Sequence, residues 1–573
     1  MQDERLRRKV VGRLAAIWGA VKAHRAGAAV MAVHGVVLLC VLPPTGEFPV
    51  CDDGVFAATA RDLVREGRLR VSDLPAMSLV THALWGAAFL ALFGDSWQSL
   101  HLATVVMTWW GGWAMYVLCR EWGRSPSEAA LACGSYLFCP LIFADAYSFM
   151  TDVTAASLML TSLAVMPAVL RHSSHLLWSV QGVLGAACYL VRQTAAIPAC
   201  ALGVWLLWEC VRRRRRPSEL AAYGWPILLL IGAYTLWLHT VNGVPSVHGS
   251  VSLKFDLFWS PRGLTSKLAG LGLESALLLA PLAAWLGGTI PWRLWRQRQW
   301  SLILAAVMLA GAALHADELR PYRGYSLYDA GLGYPPTYEG LVAFRSTRLV
   351  GELTVFHAVT LTLAALLFTA VMLAVIVHQP GEWSTGSEAP RALHVVRGVI
   401  AASLVVYLVL LLSIEYVFDR YVIPLALLGM IGALSMVRER PAGCAEWIGW
   451  ITLTLVALCS VLGTADAVQT RRVFWAAVDL LRARGVADEQ IEAGNAHLMT
   501  YVYEPAVRRR PVSGPTFLAG LPPGTYNGFD RTPKSWKLAF RPVAGWEVSE
   551  RIPYATCLRT CELLILRPAS PRE

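Results

Sequence analysis

Charged side chains are scarce in this sequence. Asp, Glu, Lys and Arg make up 16% of its 573 residues, whereas a soluble domain carries about 25%. Hydrophobic residues make up 56% of the chain. The hydrophobic core of a single soluble domain stops growing at about 250–300 residues. The surplus of apolar side chains needs lipid as its solvent, which excludes an ordinary soluble globular protein.

The sequence also lacks the usual signatures of soluble catalysts. It has no Walker loop, no nucleophile elbow, no HExxH segment and no His/Cys cluster with zinc spacing. No metal-ligand set is predicted, although a requirement for a divalent cation stays open. No basic face with interleaved aromatic residues stands apart from the apolar runs, so nucleic acid is not a predicted partner. The net charge of +11 instead follows the excess of Lys and Arg in cytoplasmic loops.

What is present is a long series of apolar runs separated by basic residues. Runs of about 17–25 apolar residues have the length that crosses a bilayer as a helix. The series predicts an all-α polytopic membrane protein with about thirteen transmembrane helices. The runs lie at 26–43, 98–119, 128–144, 153–170, 176–191, 194–210, 221–240, 269–287, 300–315, 353–378, 396–413, 420–437 and 446–464.

One further apolar run, at 78–93, decides the topology. If it does not cross the membrane, every strong basic cluster falls on the side of the N-terminus, which agrees with the positive-inside rule. Those clusters are Arg120 and Arg124, Arg171, Arg212 to Arg216, Arg293 to Arg298, Arg391 and Arg397, and Arg438 and Arg440. We therefore predict that 78–93 lies along the membrane in the first outer loop, after an amphipathic surface helix at 55–66. The N-terminus is then cytoplasmic in the plasma (inner) membrane.

The composition changes at about residue 465. The pattern predicts a transmembrane domain over 1–464 and a small α+β soluble domain over 465–573, which an odd number of spans places outside. Its predicted elements are an amphipathic helix at 470–484 and strands at 498–503, 536–540 and 563–566. Cys557 and Cys561 lie in this outer domain, either as a disulfide or as two free thiols.

With this topology, acidic residues from distant loops gather on the outer side. An ionised carboxylate at the edge of a span is costly unless it faces water or a partner. Their shared side predicts one outward-facing polar cavity. They are Asp52, Asp53, Asp62, Asp73, Asp145, Asp152, Asp317, Glu318, Asp329, Glu339, Glu415 and Asp419.

Three of these carboxylates are the candidate catalytic residues. In the pair Asp52-Asp53, one carboxylate can raise the pKa of the other and produce a general base. The alternative is a solvated pair that caps the helix beginning at Gly54. Asp152 stands immediately before an apolar helix, where it either caps the helix, reaches the cavity, or does both.

The candidate substrate-binding residues are mainly cations near the outer helix ends. Arg420, beside Tyr421, can bind two phosphate oxygens through its guanidinium, or it can form an internal pair with Asp419. His82 begins the membrane-plane segment and is either a phosphate ligand or an interfacial histidine without a task. The remaining candidates are Arg192, Lys254 and, in the aromatic outer loop 316–340, Arg320 and Arg323.

The order of these features resembles that of the GT-C membrane glycosyltransferases. The closest likeness is to the protein mannosyltransferase and aminoarabinose transferase branch, and it covers residues 26–464. The acidic pair Asp52-Asp53 and the following helix resemble that branch's first outer loop, although the prolines expected near His82 are absent. Met150-Thr151-Asp152 resembles its second acidic motif, and Arg420-Tyr421-Val422-Ile423-Pro424 resembles its late Arg-Tyr motif.

The resemblance implies sugar transfer, with inversion, from a polyprenyl-phosphate-linked donor to a protein, lipid or glycan acceptor on the outer face. Asp52 would then be the general base, Asp53 its neighbour or an ion ligand, and Asp152 an orienting group. Arg420, with His82, would hold the donor phosphate. The alternative function is a transporter or lipid-linked sugar flippase, but such proteins place polar sites near the midplane on paired repeats, and no internal repeat is visible.

Overall fold

The fold is mostly helical throughout the part of the chain that the computed structural model describes. This part comprises residues 24–50, 52–72, 74–245, 264, 268, 271–272, 275–276, 278–288, 322–323, 388–414, 417–436, 443–505, 534–557 and 560–569. The helices are α1 (Arg25–Val36), α2 (Asp53–Glu66), α3 (Val80–Phe93), α4 (Trp97–Glu121), α5 (Pro126–Leu137), α6 (Pro140–Asp145), α7 (Thr151–His172), α8 (His175–Val191), α9 (Ile197–Val211), α10 (Pro217–Trp237), α11 (Ala280–Gly288), α12 (Glu388–Ser413), α13 (Val422–Met436), α14 (Gly443–Ala483) and α15 (Gly494–His497). The strands are β1 (Tyr322–Arg323), β2 (Val417–Phe418), β3 (Ile491–Glu492), β4 (Trp536–Ala539), β5 (Trp546–Ala555) and β6 (Thr560–Pro568).

The predicted polytopic helical class is confirmed. Within the described ranges, six helices are long and apolar enough to cross a bilayer. They are Trp97–Glu121, Thr151–His172, Gln193–Val211, Pro217–Asn242, Arg391–Ser413 and Ala445–Ala483. Shorter apolar helices occupy Arg25–Val41, Val80–Phe93, His175–Val191 and Val422–Met436. The predicted spans at 300–315 and 353–378 lie outside the described residues, so the predicted number of about thirteen stays a prediction.

Local sequence signals explain where individual helices begin and end. Ser125 caps α5 by accepting the backbone N–H of Glu128 at 3.2 Å, while the Glu128 carboxylate accepts the N–H of Ser125 at 2.8 Å. This reciprocal pair is the capping box that the sequence predicts. The segment predicted as one span at 128–144 is not a single continuous helix, because α5 stops at Leu137 and α6 restarts at Pro140. A proline lacks the backbone N–H and disfavours a helical residue before it.

The basic residues meet at one end of the helix bundle. Arg171, at the end of α7, pairs with Glu121 at the end of α4, with 2.6 Å between Nη2 and Oε2. The Arg124 guanidinium donates to the carbonyl of Leu434 at 2.8 Å, which brings the end of α13 to the same place. Arg124 and Arg171, from two of the basic loops that the sequence assigned to one face, are therefore neighbours in space.

A continuous helix joins the membrane part to the C-terminal region. Helix α14 runs through 41 residues from Gly443 to Ala483, so the predicted span at 446–464 and the predicted helix at 470–484 are one element. The proposed boundary between 464 and 465 falls inside it. The adjoining sheet has the order β3-β4-β6-β5. Asp466 ties this sheet to α14 by accepting the Thr556 hydroxyl and the Cys557 backbone N–H, each at 2.9 Å.

Two further expectations for the C-terminal region can be compared with the structure. The strand predicted at 498–503 is wrong, because Leu498–Tyr503 forms a π-helical turn directly after α15. Met499 and Tyr503 share a buried cluster with Phe56 of α2, whereas the ring of Tyr501 lies against Arg482 of α14. Cys557 and Cys561 are free thiols, and Cys557 is exposed.

Candidate active site

One arginine joins two of the predicted catalytic carboxylates. The Nη2 of Arg420 lies 3.1 Å from Oδ2 of Asp52, and its Nε lies 3.7 Å from Oδ2 of Asp152. Asp52 immediately precedes α2, Asp152 stands in the first turn of α7, and Arg420 lies in the short helical turn before α13. Three elements that are distant in sequence therefore meet at one point, opposite the basic end of the bundle.

A second arginine completes the cluster. The Nη1 of Arg192 lies 2.7 Å from Oδ1 of Asp152, and its Nε donates to the Thr151 hydroxyl at 3.1 Å. Its Nη2 is buried and has no hydrogen-bond partner among the described residues. The guanidinium carbons of Arg192 and Arg420 lie 5.3 Å and 5.7 Å from the ring centroid of Tyr421. The result is a pair of cations beside one aromatic ring, with two carboxylates as counter-ions.

The carboxylates of this cluster differ in their access to solvent. The Asp52 side chain is 26% exposed, whereas the Asp152 side chain is 2% exposed. Neither carboxylate has the helix-capping role considered from the sequence, since the Asp52 side chain makes no cap hydrogen bond and Met150, not Asp152, is the cap of α7. Asp52 is therefore the carboxylate of the cluster that an incoming hydroxyl group can reach.

Asp53 points into the protein, away from this cluster. Its side chain is fully buried, its Oδ2 accepts the Val50 N–H at 3.0 Å, and Nε2 of His101 lies 3.8 Å away. Burial raises the pKa of Asp53, while His101 and backbone N–H groups oppose that shift. Asp52 and Asp53 are adjacent in sequence but lie in different environments. Burial is the largest cause of the raised pKa of Asp53.

The contact with His101 was not predicted from the sequence. His101 is 1% exposed and stands on α4, about one turn after the start of a mainly apolar helix. A single histidine in such a helix most often packs in a core. The available signal was its position near the outer end of a span, on the same side as the acidic pair.

His82 uses both of its ring nitrogens inside the protein. Nδ1 lies 3.0 Å from the Thr154 hydroxyl and Nε2 lies 3.0 Å from the carbonyl oxygen of Phe149. A carbonyl only accepts, so Nε2 carries the proton and Nδ1 accepts the Thr154 O–H. Burial lowers the pKa of His82 to about 4. In this arrangement His82 fastens α3 to the first turn of α7 and offers no nitrogen to a phosphate.

The remaining candidates are less well placed or lie elsewhere. Lys254 and Arg320 lie outside the described residues. The backbone of Arg323 pairs in parallel with Phe418, and Tyr322 pairs with Val417. This short ladder brings residues 322–323 next to the segment that carries Arg420. Across the described ranges, no group of three or more His, Cys, Asp or Glu side chains is arranged to hold a metal ion.

A comparison with known protein families matches one part of the chain. Residues 80–237 match the model of the family described as dolichyl-phosphate-mannose-protein mannosyltransferase. Over these residues the match confirms the predicted resemblance to protein mannosyltransferases. The matched range contains His82, Asp152 and Arg192. Asp52 and Arg420 lie outside the matched residues.

Two solved structures align with nearly the whole length of this chain at low identity. The crystal structure of ArnT from Cupriavidus metallidurans bound to undecaprenyl phosphate is 13% identical, covers 95% of this chain and 98% of its own, and has a TM-score of 0.36. The apo structure of the same protein is 14% identical, covers 94% and 97%, and has a TM-score of 0.34. No curated protein sequence matches this chain.

Proposed function

We propose that this protein is a membrane glycosyltransferase that moves a sugar from a polyprenyl-phosphate-linked donor to an acceptor hydroxyl on the outer face. The family match over residues 80–237 supports this class of reaction. The observation that carries the proposal is the shared Arg420, which holds an accessible and a buried carboxylate next to a second arginine. Such a cluster contains a base for the acceptor and cations for the leaving phosphate.

The roles follow from exposure and charge. Asp52 accepts the proton of the acceptor hydroxyl, the acceptor oxygen bonds to the anomeric carbon, and the bond from that carbon to the donor phosphate breaks. Attack from the face opposite the phosphate inverts the configuration. The departing polyprenyl phosphate gains one negative charge, which Arg192 and Arg420 offset. Asp152 keeps both guanidinium groups oriented.

Arg192 is well suited to meet the phosphate. Its Nη1 and Nε are already held by Asp152 and Thr151, so the guanidinium is oriented before the donor arrives. The buried Nη2 donor has no hydrogen-bond partner among the described residues. A buried donor without an acceptor costs about 1–3 kcal/mol, and a phosphate oxygen would remove that cost.

The orientation and the substrates belong to the proposal as well. We infer that the N-terminus is cytoplasmic and that the region after residue 464 is outside, because the basic end of the bundle then faces the cytoplasm. A hexose or pentose is the transferred sugar, and a protein, lipid or glycan is the acceptor.

The test is donor turnover by purified full-length protein in lipid nanodiscs. A panel of undecaprenyl-phosphate-linked hexoses and pentoses is supplied with cell-envelope acceptors, and release of undecaprenyl phosphate is measured by mass spectrometry. Loss of a general base typically costs about 10²–10⁴-fold in rate, so Asp52→Asn should lose turnover to this extent. Glu121→Gln is the matched control, because Glu121 pairs with Arg171 at 2.6 Å at the opposite end of the bundle, and this variant should retain turnover. Equal turnover by Asp52→Asn and the unaltered protein would refute the assignment.

A further inference from the structure

The π-helical turn Leu498–Tyr503 packs directly on the turn that carries the acidic pair. A Cβ atom placed on Gly54, the residue after Asp53, would lie 2.7 Å from Cβ and 2.9 Å from Cα of Thr500. Real Cβ atoms do not approach other atoms this closely. Gly54 therefore allows the backbone of α2 and the turn from the C-terminal region to touch.

Apolar side chains of the same turn share a core with both carboxylate-bearing helices. Met499 and Tyr503 are 4% and 2% exposed. They belong to one buried cluster with Phe56 of α2 and with Phe149 and Met150, which precede Asp152. The turn is thus part of the packing beneath the active site.

A buried polar contact extends this packing beyond α2. The Ser72 hydroxyl donates to Oε1 of Glu504 at 2.6 Å, and both side chains are buried. Ser72 lies in the strap 67–79 that connects α2 with α3. The backbone of Val71 in this strap is also held by the amide of Asn242, whose Oδ1 accepts the Val71 N–H at 2.9 Å and whose Nδ2 donates to the Val71 carbonyl at 3.0 Å.

The other side of the turn is attached to α14. The guanidinium carbon of Arg482 lies 3.9 Å from the ring centroid of Tyr501. Arg482 in turn binds Asp488 with 2.8 Å between Nε and Oδ1, and His497 contacts the same carboxylate oxygen at 2.8 Å. Tyr501 and Tyr503, two residues apart, therefore connect the C-terminal helix on one side with the α2 core on the other.

We propose that the segment 498–504 is a positioning element of the active site, which holds the Asp52–Asp53 turn in place and makes the C-terminal region necessary for sugar transfer. Thr500, Tyr503 and Glu504 are its positioning residues. The packing of the segment 498–504 on α2 does not depend on the reaction. Its effect on sugar transfer rests on the proposed function. A change in this segment should therefore alter the local opening of α2 and the rate of transfer together.

The packing of the segment 498–504 on α2 can be tested without substrate by hydrogen exchange of the full-length protein in nanodiscs. Tyr503→Ala removes the buried ring from the shared cluster and should speed exchange of the amides at 53–57 by at least about tenfold. Tyr554→Ala is the matched control, since this tyrosine is also buried in the C-terminal region but contacts Thr470. It should leave exchange at 53–57 unchanged. Equal exchange in Tyr503→Ala and the unaltered protein would overturn the proposal.

A cross-link tests the same contact directly. Cβ atoms in a disulfide are about 3.8 Å apart, so Gly54→Cys with Thr500→Cys should form a disulfide after a small outward shift. The cross-linked peptide is identified by mass spectrometry. We expect most of the oxidised protein to carry it, and its absence would show that the turn is not seated on α2.

The effect on catalysis is tested with alanine at glycine positions. Gly54→Ala should lower donor turnover by at least about tenfold, which is 1.4 kcal/mol. Gly224→Ala is the matched control, since its added methyl group has open space around it, and it should keep turnover. Adding Thr500→Gly to Gly54→Ala removes most of the clash and should restore part of the rate. If exchange and cross-linking are as expected but Gly54→Ala turns over donor normally, the positioning role is wrong. If the unaltered protein turns over no donor, the proposed function is wrong, but the packing of the segment 498–504 on α2 is unaffected.

Discussion

At the scale of the residue, the adjacent aspartates Asp52 and Asp53 differ in burial and in their partners. Asp52 is partly exposed and bound by Arg420, whereas Asp53 is buried beside His101. A base that must receive a substrate proton needs access, so the exposed member is the one suited to that task. The buried member is better suited to fixing the loop, because its Oδ2 accepts the backbone N–H of Val50.

Arg192 is the residue whose role is most directly testable. Hydrogen bonds to charged groups contribute about 1.5–3 kcal/mol, so Arg192→Gln should weaken binding of undecaprenyl phosphate by about 10–100-fold. Arg192→Lys keeps the positive charge beside Asp152 but lacks the planar guanidinium that can donate two parallel hydrogen bonds. It should therefore bind more tightly than Arg192→Gln and less tightly than the unaltered protein. Binding is measured by microscale thermophoresis in nanodiscs.

Arg171→Gln serves as the control for this measurement. Arg171 also pairs with a carboxylate, Glu121, but at the opposite end of the bundle. Its replacement should leave the affinity for undecaprenyl phosphate unchanged. Equal loss of affinity in both variants would attribute the effect to general destabilisation instead of phosphate binding.

At the scale of the element, the site depends on how α3 is fastened to α7. Helix α3 has 14 residues and is about 21 Å long at a rise of about 1.5 Å per residue, which is less than a bilayer core of about 30 Å. Asp52 and Asp152 lie on opposite sides of α3 in the sequence and still share Arg420. This contact supports the prediction that 78–93 does not cross the membrane, because a crossing would separate the two carboxylates.

His82 should make this attachment sensitive to acid. Its pKa is about 4 in the folded protein, below the usual 6.5, because burial favours the neutral ring. The stabilisation from the neutral imidazole is fully present above pH 6.5 and is lost as the pH falls from 6.5 through 4. The apparent Tm in detergent should fall over this range, and His82→Gln should show a smaller fall.

His172→Gln is the control for this pH effect. His172 is exposed at the end of α7, so its replacement should leave the dependence of Tm on pH as it is in the unaltered protein. If His82→Gln keeps the full acid dependence, another group is responsible for it.

At the scale of the whole molecule, two groups of charged residues lie at opposite ends of the helix bundle. Arginines tie the helix ends together at one end, through contacts such as Arg171–Glu121 and Arg124–Leu434. The Asp52–Arg420–Asp152–Arg192 cluster lies at the other end. Helix α14 leads from the membrane part into the C-terminal sheet, so the sheet and the cluster are predicted to share the outer face.

Labelling of cysteines in intact cells tests this orientation. In a variant without the other cysteines, the exposed thiol of Cys557 should react with a membrane-impermeant maleimide without permeabilisation. Ser218→Cys, at the basic end beside the exposed start of α10, should react only after permeabilisation. The reverse pattern would place the candidate active site in the cytoplasm.

The sequence by itself determined the class of the protein and the order of its chemistry-bearing residues. Scarce charge and repeated apolar runs require a lipid environment, and the positions of arginines in short loops indicate the sidedness. Local signals such as Ser125-Pro126-Ser127-Glu128 predict a helix start correctly, because a cap depends only on residues that are close in the chain. Asp52, Asp152, Arg192 and Arg420 were all candidates before any contact between them was known.

Only the tertiary structure decided which of these residues meet and what each can do. The sharing of Arg420 between two carboxylates, the burial of Asp53 against His101, and the use of both His82 nitrogens depend on packing between distant segments. The same is true of the turn 498–503, which the sequence pattern assigned to a strand and which instead packs its residues on α2 and α14. A short apolar run indicates that a segment is buried, but it does not distinguish a strand from a helical turn, and the neighbours that bury it come from elsewhere in the chain.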